Sequence, residues 1–281
     1  MRISLPVLSK FLYMVICMSI GAYAFAQSEG NGFFDEYLFG ALHVESYETT
    51  FFMPFTMDFR EHDDRNAVEA SFQISIKKDI VKNISPIGFN IGIAFTQAAL
   101  WQLYAYSNPF RELNFGPEIY IYLPFSQKPG GAGFSFHGIK LAAAHKSNGL
   151  GNENSRSWNR VYLEAPVSIG WFLFIPRVWW SFVGIGNDFY EKDIPRYMGM
   201  CDLTVVSQWN KHVLRIYGRS NFNIKNIKAH RTIGSMRLDY SYPIAATGSY
   251  FYMQYFFGYG ESLIDYNRLV NKIGIGLALS R

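Results

Sequence analysis

The chain has 281 residues and a formal net charge of +4, too small a surplus to point to nucleic acid as a partner. Aromatic residues make up 18% of it and charged residues 17%, yet no segment beyond residue 26 approaches the ~20 consecutive apolar residues of a spanning helix. Its two cysteines are Cys17 and Cys201, and only Cys201 would survive export, so an internal disulfide framework is excluded. An apolar, aromatic chain without helical spans fits a transmembrane β-barrel.

Residues 1–26 read as an export signal. Arg2 and Lys10 supply positive charge, Phe11 to Ile20 form the apolar stretch, and Ala24-Phe25-Ala26 is a small-x-small cleavage site. Residues 27–281 are then expected to form one barrel domain, opened by a polar-aromatic lead-in over 27–46.

The dominant period after the lead-in is two. Val68, Ala70, Phe72, Ile74 and Ile76 alternate with Glu69, Ser71, Gln73, Ser75 and Lys77, giving one apolar and one polar face. Phe89, Ile91, Ile93 and Phe95 alternate with Asn90, Gly92 and Ala94. Gln97 shares the outward parity of Ile93 and Phe95. An amide at that depth calls for a partner, which a second barrel could supply, or for hydration near the headgroups. Close to the C-terminus, Ile273, Ile275, Leu277 and Leu279 alternate with Gly274, Gly276 and Ala278.

Twelve strands are predicted, near 47–58, 66–79, 87–103, 111–124, 132–147, 157–169, 171–186, 197–209, 212–225, 229–242, 247–259 and 268–280. The fold class is thus all-β, a twelve-stranded antiparallel transmembrane β-barrel, whose even count and closure leave no edge in lipid. A soluble sandwich or lipocalin-like barrel also alternates. Its strands usually run to ~5–6 residues, shorter than most of these, and it lacks the Tyr and Trp that gather here near strand ends as in interfacial girdles. With the chain starting on the periplasmic side, segments 59–65, 104–110, 148–156, 187–196, 226–228 and 260–267 face out of the cell.

The fifth strand ends Ile139-Lys140-Leu141-Ala142-Ala143-Ala144-His145-Lys146-Ser147. If Leu141 and Ala143 face lipid, His145 and Ser147 do too, and Lys146 points inward with Lys140. The sixth begins Ser157-Trp158-Asn159-Arg160-Val161-Tyr162-Leu163, which puts Asn159 on the same outer side as Val161 and Leu163. Two parity arguments therefore bring a serine, a histidine and an asparagine to one lipid-facing surface, where polar groups are costly and point to function. A serine hydroxyl needs a base to take its proton, and that base needs a third group to fix its tautomer. The arrangement suits ester hydrolysis. A neutral asparagine supports an imidazolium less than a carboxylate does, so a cation is expected to help at the oxyanion.

The run His145-Lys146-Ser147-Asn148-Gly149, followed by Ser155-Arg156-Ser157-Trp158-Asn159-Arg160, resembles the active-site signature of the outer-membrane phospholipase A family. Asn108-Pro109-Phe110-Arg111-Glu112, Tyr197-Met198-Gly199 and the run from Gly258 to Asn267 also resemble that family and occur in its order. The resemblance implies Ser147 as nucleophile, His145 as general base and Asn159 as the group orienting it. It further implies a bacterial outer-membrane enzyme that hydrolyses acyl esters of glycerophospholipids, with A1, A2 and lysophospholipase activity, at the outer leaflet. Such an enzyme is active as a homodimer with bound Ca²⁺. The ligands implied are the Ser155 hydroxyl and Leu150 carbonyl of one subunit and the Ser107 carbonyl of the other, and Gln97 is implied as a dimer contact. Two departures bear on metal affinity: Asn152 stands where the family often has an aspartate, and Tyr190 falls near another acidic position.

Other features carry blander expectations. Gly258–Asn267 reads as a turn serving folding, although Glu261 and Asp265 could bind a cation. His62, Asp63 and Asp64 read as a solvated loop. The basic residues Lys211, His212, Arg215, Arg219, Lys225, Lys228, His230 and Arg231 either meet anionic headgroups or line the lumen. The rival readings of the whole are a passive barrel and a family member that binds lipid without turnover.

Overall fold

In this computed structural model, alternation of side chains across a closed wall accounts for nearly all of the regular structure. Residues 44–60, 64–84, 86–125, 133–182, 193–220, 233–245 and 247–281 are described. The segment read as an export signal, most of the lead-in, His62, Asp63, Tyr190, Lys225, Lys228, His230 and Arg231 lie outside the described residues.

The strands are β1 (Glu45–Ser46), β2 (Phe51–Asp58), β3 (Val68–Ile84), β4 (Phe89–Trp101), β5 (Phe110–Pro124), β6 (Phe134–Phe136), β7 (Gly138–Ser147), β8 (Ser157–Glu164), β9 (Val167–Ile169) and β10 (Phe172–Phe182). A five-residue helix, α1 (Ile194–Met198), precedes β11 (Cys201–Trp209), β12 (His212–Ser220), β13 (Gly234–Pro243), β14 (Tyr250–Gly258) and β15 (Val270–Ala278). Twelve of the strands close a ring in the order β2-β3-β4-β5-β7-β8-β10-β11-β12-β13-β14-β15, with β15 paired back to β2. All pairings in the ring are antiparallel.

Each predicted strand corresponds to one member of this ring, with local differences. The predicted strand at 132–147 is β6 plus β7, interrupted at His137, and the one at 157–169 is β8 plus β9, interrupted at Ala165 and Pro166. Proline has no N–H to give a ladder, and at this break the Pro166 carbonyl accepts from His137 N instead, at 2.9 Å. The strand expected from 197 begins at Cys201, because Tyr197 and Met198 belong to α1. Pro195 sits in that helix's first turn, where its missing N–H is harmless.

The two faces of the wall are chemically inverted relative to a soluble protein. Outside, Ile74 and Ile93 are each 49% exposed, Ile119 55% and Val178 55%. Inside, Glu69 is 2% exposed and holds Arg111 at 2.9 Å and Lys272 at 2.7 Å. Lys140 pairs with Glu118 at 2.7 Å, Arg177 with Asp202 at 2.9 Å and Arg237 with Asp239 at 3.0 Å. Aliphatic side chains on show and charges buried in pairs make sense only when the outer solvent is hydrocarbon. Trp171 and Trp209 mark the rim with the tight turns, while Trp180 lies toward the rim with the long loops.

That second rim carries a plug. Ile194, Met198 and Leu263 are fully buried and pack with Trp158, Trp179 and Tyr266. The Glu112 carboxylate accepts the Leu263 and Ile264 amides at 2.8 and 2.9 Å, and Arg219 donates to the Tyr259 and Gly260 carbonyls at 2.8 and 3.0 Å.

Candidate active site

β7 and β8 are hairpin neighbours whose register pairs His145 with Asn159 and Ser147 with Ser157. On β8 the even residues point inward: Tyr162 donates to Glu118 at 2.6 Å and Trp158 packs in the plug cluster. The odd residues therefore face lipid, as the exposure of Val161 and Leu163 shows. His145 reaches Asn159 on that outer side, with its Nδ1 2.6 Å from Oδ1. Asn159 is nonetheless only 8% exposed; it lies between His145 and its partner on the other flank, Phe182 of β10.

An amide oxygen can only accept, so this contact puts a ring proton on Nδ1, and a neutral ring then carries its lone pair on Nε2. Ser147 lies two residues along the same strand, a rise of roughly 7 Å, and is half-buried. Among the described residues no hydrogen bond engages its hydroxyl. The two residues carry the groups that base and nucleophile need, although among the described residues no hydrogen bond joins His145 to Ser147.

The loop after Ser147 is organised by Asn148, which is 3% exposed. Its Nδ2 donates to the Asn154 carbonyl at 2.8 Å, and its Oδ1 accepts from the amides of Arg156 and Leu150 at 3.0 and 3.3 Å. Gly149 follows at φ 67° with the Phe115 ring against it, so that a Cβ there would meet the ring at 3.0 Å. Backbone conformation and space both call for glycine. Asn148 was missed as a site residue in the sequence; its only signal was its place between Ser147 and Gly149.

Leu150 and Ser155 are brought together in this one loop, Leu150 exposed and Ser155 half-buried. Ser107 lies in the separate loop between β4 and β5, at φ 64° beside Asn108 at φ 49°. Among the described residues no hydrogen bond occupies the Leu150 carbonyl, the Ser155 hydroxyl or the Ser107 carbonyl, and no cluster of three His, Cys, Asp or Glu is present. Neutral oxygens of this kind suit Ca²⁺, which takes 6–8 oxygen ligands, so two from one loop make an incomplete shell.

Gln97 falls in line with the same residues. It pairs with Phe115, which pairs with Ser147, which pairs with Ser157. It is half-buried, and among the described residues its amide makes no hydrogen bond.

Glu261 and Asp265 serve the plug. Glu261 contacts Lys272, and Asp265 takes Arg65 and Arg111 at 2.5 Å each. Arg268 donates to Asp64 at 2.7 Å and by that bond holds the carboxyl below its ordinary range. Of the basic residues, Arg215 and Arg219 line the lumen. His212 stacks on Trp209 at the opposite rim, 5.5 Å between ring centroids.

Residues 34–279 match the family model described as Phospholipase A1. Phospholipase A1 of Klebsiella pneumoniae is 35% identical over 214 residues, covering 75% of this chain and 70% of that one; the enzyme of Escherichia coli strain K12 is 33% identical over the same shares. Among solved structures, outer membrane phospholipase A from Escherichia coli superposes with a TM-score of 0.74 at 28% identity, over 90% of this chain and 95% of that one. A Salmonella typhi outer membrane phospholipase dimer with bound calcium gives 0.75 at 27%, over 87% and 94%. An alanine-for-asparagine active-site mutant of the Escherichia coli enzyme gives 0.74 at 27%, over 93% and 96%. With its closed barrel and its match across most of its length, this chain belongs to the phospholipase A1 family, carboxylic ester hydrolases of the bacterial outer membrane.

Proposed function

We propose that the protein hydrolyses acyl esters of glycerophospholipids at the outer leaflet, with Ser147 as nucleophile, His145 as base and Asn159 as the group that holds the base. The observation that carries this reading is the 2.6 Å contact between His145 Nδ1 and Asn159 Oδ1 on the lipid-facing side of the strand that bears Ser147. An active-site asparagine in the Escherichia coli relative is consistent with that role for Asn159.

In the first step Ser147 Oγ adds to the ester carbonyl while His145 Nε2 takes its proton. The resulting imidazolium is steadied by Asn159 and returns the proton to the departing lysolipid oxygen. Water then attacks the acyl-serine by the same route and releases the fatty acid. Lateral entry of the lipid places its ester beside the outer wall, so the acyl chains stay in hydrocarbon throughout.

Ca²⁺, when bound by the Ser155 hydroxyl and the carbonyls of Leu150 and of Ser107 from a second copy, supplies positive charge for the oxyanion. The bound calcium and the dimer of the Salmonella typhi relative support this reading. So does the small number of oxygens that one loop offers, the Leu150 carbonyl and the Ser155 hydroxyl, against the 6–8 that Ca²⁺ takes. The homodimer is the active form, with Gln97 at its contact surface.

The test is fatty-acid release by the refolded protein in detergent micelles, with and without calcium. Ser147→Ala is expected to remove at least about 10⁴-fold of the rate and leave heat-modifiable mobility intact. Unchanged turnover in Ser147→Ala would eliminate the proposed nucleophile, and no fatty-acid release by the parent protein would favour a passive barrel.

A further inference from the structure

Lys211 and His212 open the basic stretch of the sequence, at the tight turn that joins β11 to β12 on the rim opposite the proposed catalytic row. His212 pairs with Trp209 across that turn. The exposure of Leu203 and Ile216 shows that odd residues of β11 and even residues of β12 face lipid, so the His212 ring lies on the outer wall. It stacks on Trp209 with 5.5 Å between centroids and lies 4.8 Å from the Tyr242 ring, and its Nδ1 is 2.8 Å from the Tyr240 hydroxyl. Three aromatic side chains thus fix one imidazole at the edge of the hydrocarbon, where an ionisable group points to function. Among the described residues its Nε2 makes no hydrogen bond.

The charge of this turn has no counterpart beside it. Segments 165–176, 203–214 and 240–254 carry the turn and its neighbours on either side; they contain no Asp or Glu, and Lys211 is their one Lys or Arg. Lys211 is exposed and, among the described residues, has no carboxylate within ion-pair distance. Arg281 donates to the Lys211 carbonyl at 2.9 Å and lies over the Tyr250 ring at 4.4 Å. Counted with its own α-carboxylate, it adds no net charge. Glu48, whose carbonyl the Ser280 hydroxyl reaches, lines the lumen on the other side of the wall. One uncompensated ammonium therefore stands at the lipid–water boundary, next to the caged imidazole.

We propose that this turn binds the phosphate of an anionic glycerophospholipid in the leaflet at that rim. Lys211 supplies the opposite charge. Tyr240 donates to His212 Nδ1, which puts the ring proton on Nε2, and Nε2 donates to a phosphate oxygen. The apolar wall formed by Leu203, Leu214 and Ile216 receives the acyl chains. An aromatic cluster can also hold a quaternary ammonium. Here the Lys211 ammonium repels a second cation, so a headgroup that stays net negative, such as glycerol, is preferred to choline. The site is at the far end of the barrel from Ser147 and does not depend on the hydrolytic reading.

The experiment is fluorescence quenching by brominated lipids, with the full chain refolded into phosphatidylcholine vesicles. Ser147→Ala and a chelator keep the lipids intact, and the signal of Trp209 is the difference between this protein and its Trp209→Phe derivative. Brominated phosphatidylglycerol should be preferred over brominated phosphatidylcholine by about fivefold, the scale of one basic residue at a membrane surface. Lys211→Gln should bring that ratio close to one, and Lys211→Arg should keep it. His212→Phe retains the ring stack without the donor and should lower quenching by either lipid, since both carry the phosphate. Each variant is checked for heat-modifiable mobility. The proposal is overturned if the two lipids quench Trp209 equally, if Lys211→Gln or His212→Phe quenches as the parent does, or if inorganic phosphate at constant ionic strength abolishes the preference.

Discussion

His145 on β7 and Asn159 on β8 are cross-strand partners, and their side chains meet on the outer wall with Nδ1 2.6 Å from Oδ1. Strand pairing fixes both backbones, so the imidazole orientation depends on this one amide oxygen. Asn159→Ala should lower kcat by about 10²-fold, within the range for loss of a positioned proton-transfer partner, with KM and barrel mobility little changed. Asn159→Asp should retain activity, because it keeps the acceptor and adds charge. Equal loss in both variants would argue that Asn159 serves packing alone.

Asn148 ties Arg156, Asn154 and Leu150 together through three side-chain hydrogen bonds. Because Leu150 and Ser155 share that loop, Asn148→Ala should raise the calcium concentration for half-maximal activity about tenfold while the rate at saturating calcium falls less. The measurement is fatty-acid release across a calcium titration. A rate insensitive to chelator in the parent protein would remove calcium from the mechanism.

Gln97 lies two strands from Ser147 on the same cross-strand line, at roughly twice the ~4.8 Å strand spacing. A second barrel that satisfies the amide there would abut the proposed catalytic row. Gln97→Ala should weaken dimerisation in micelles by about 1 kcal/mol, the scale of an interhelical polar contact in lipid, and shift the activity-versus-protein curve to higher concentration. Sedimentation equilibrium with calcium checks it, and an unaltered monomer–dimer balance would count against the contact.

Glu112 is 3% exposed and receives two consecutive main-chain amides of the plug. Replacing it with leucine strands both donors in a buried setting, at a cost of about 1–3 kcal/mol for each unsatisfied group. Urea unfolding of Glu112→Leu should show that loss, and Glu112→Gln, which keeps one acceptor oxygen, should lose less. Identical midpoints for all three proteins would mean the plug is held by its apolar contacts.

The wall of this molecule could be read from its sequence because lipid and lumen impose opposite chemistry on successive residues. The contrast between Ile74, Ile76 and Ile93 outside and Ser75 and Ala94 inside is visible in their order alone. The same parity led to His145, Ser147 and Asn159, since two strands of known phase suffice to say which side chains share a side. What parity could not provide was partnership across the lumen. Glu69 meets Lys272, 203 residues away, and nothing local to either names the other. The end of α1, Tyr197 and Met198, was read as the start of a strand for a related reason. The helix's five residues are held by burial of Ile194 and Met198 against distant parts of the chain, a contact that overrides any local pattern. Asn148 stood in the sequence only as one member of the run from His145 to Gly149, and its work shows in the loop contacts to Asn154, Arg156 and Leu150.

The outward placement of the His145–Asn159 pair has a kinetic consequence. A substrate that reaches the row must come sideways within the sheet of lipid, so turnover should follow the mole fraction of phospholipid in the surface and be largely indifferent to its bulk molarity. Diluting the surface with inert amphiphile should slow the enzyme as effectively as removing substrate.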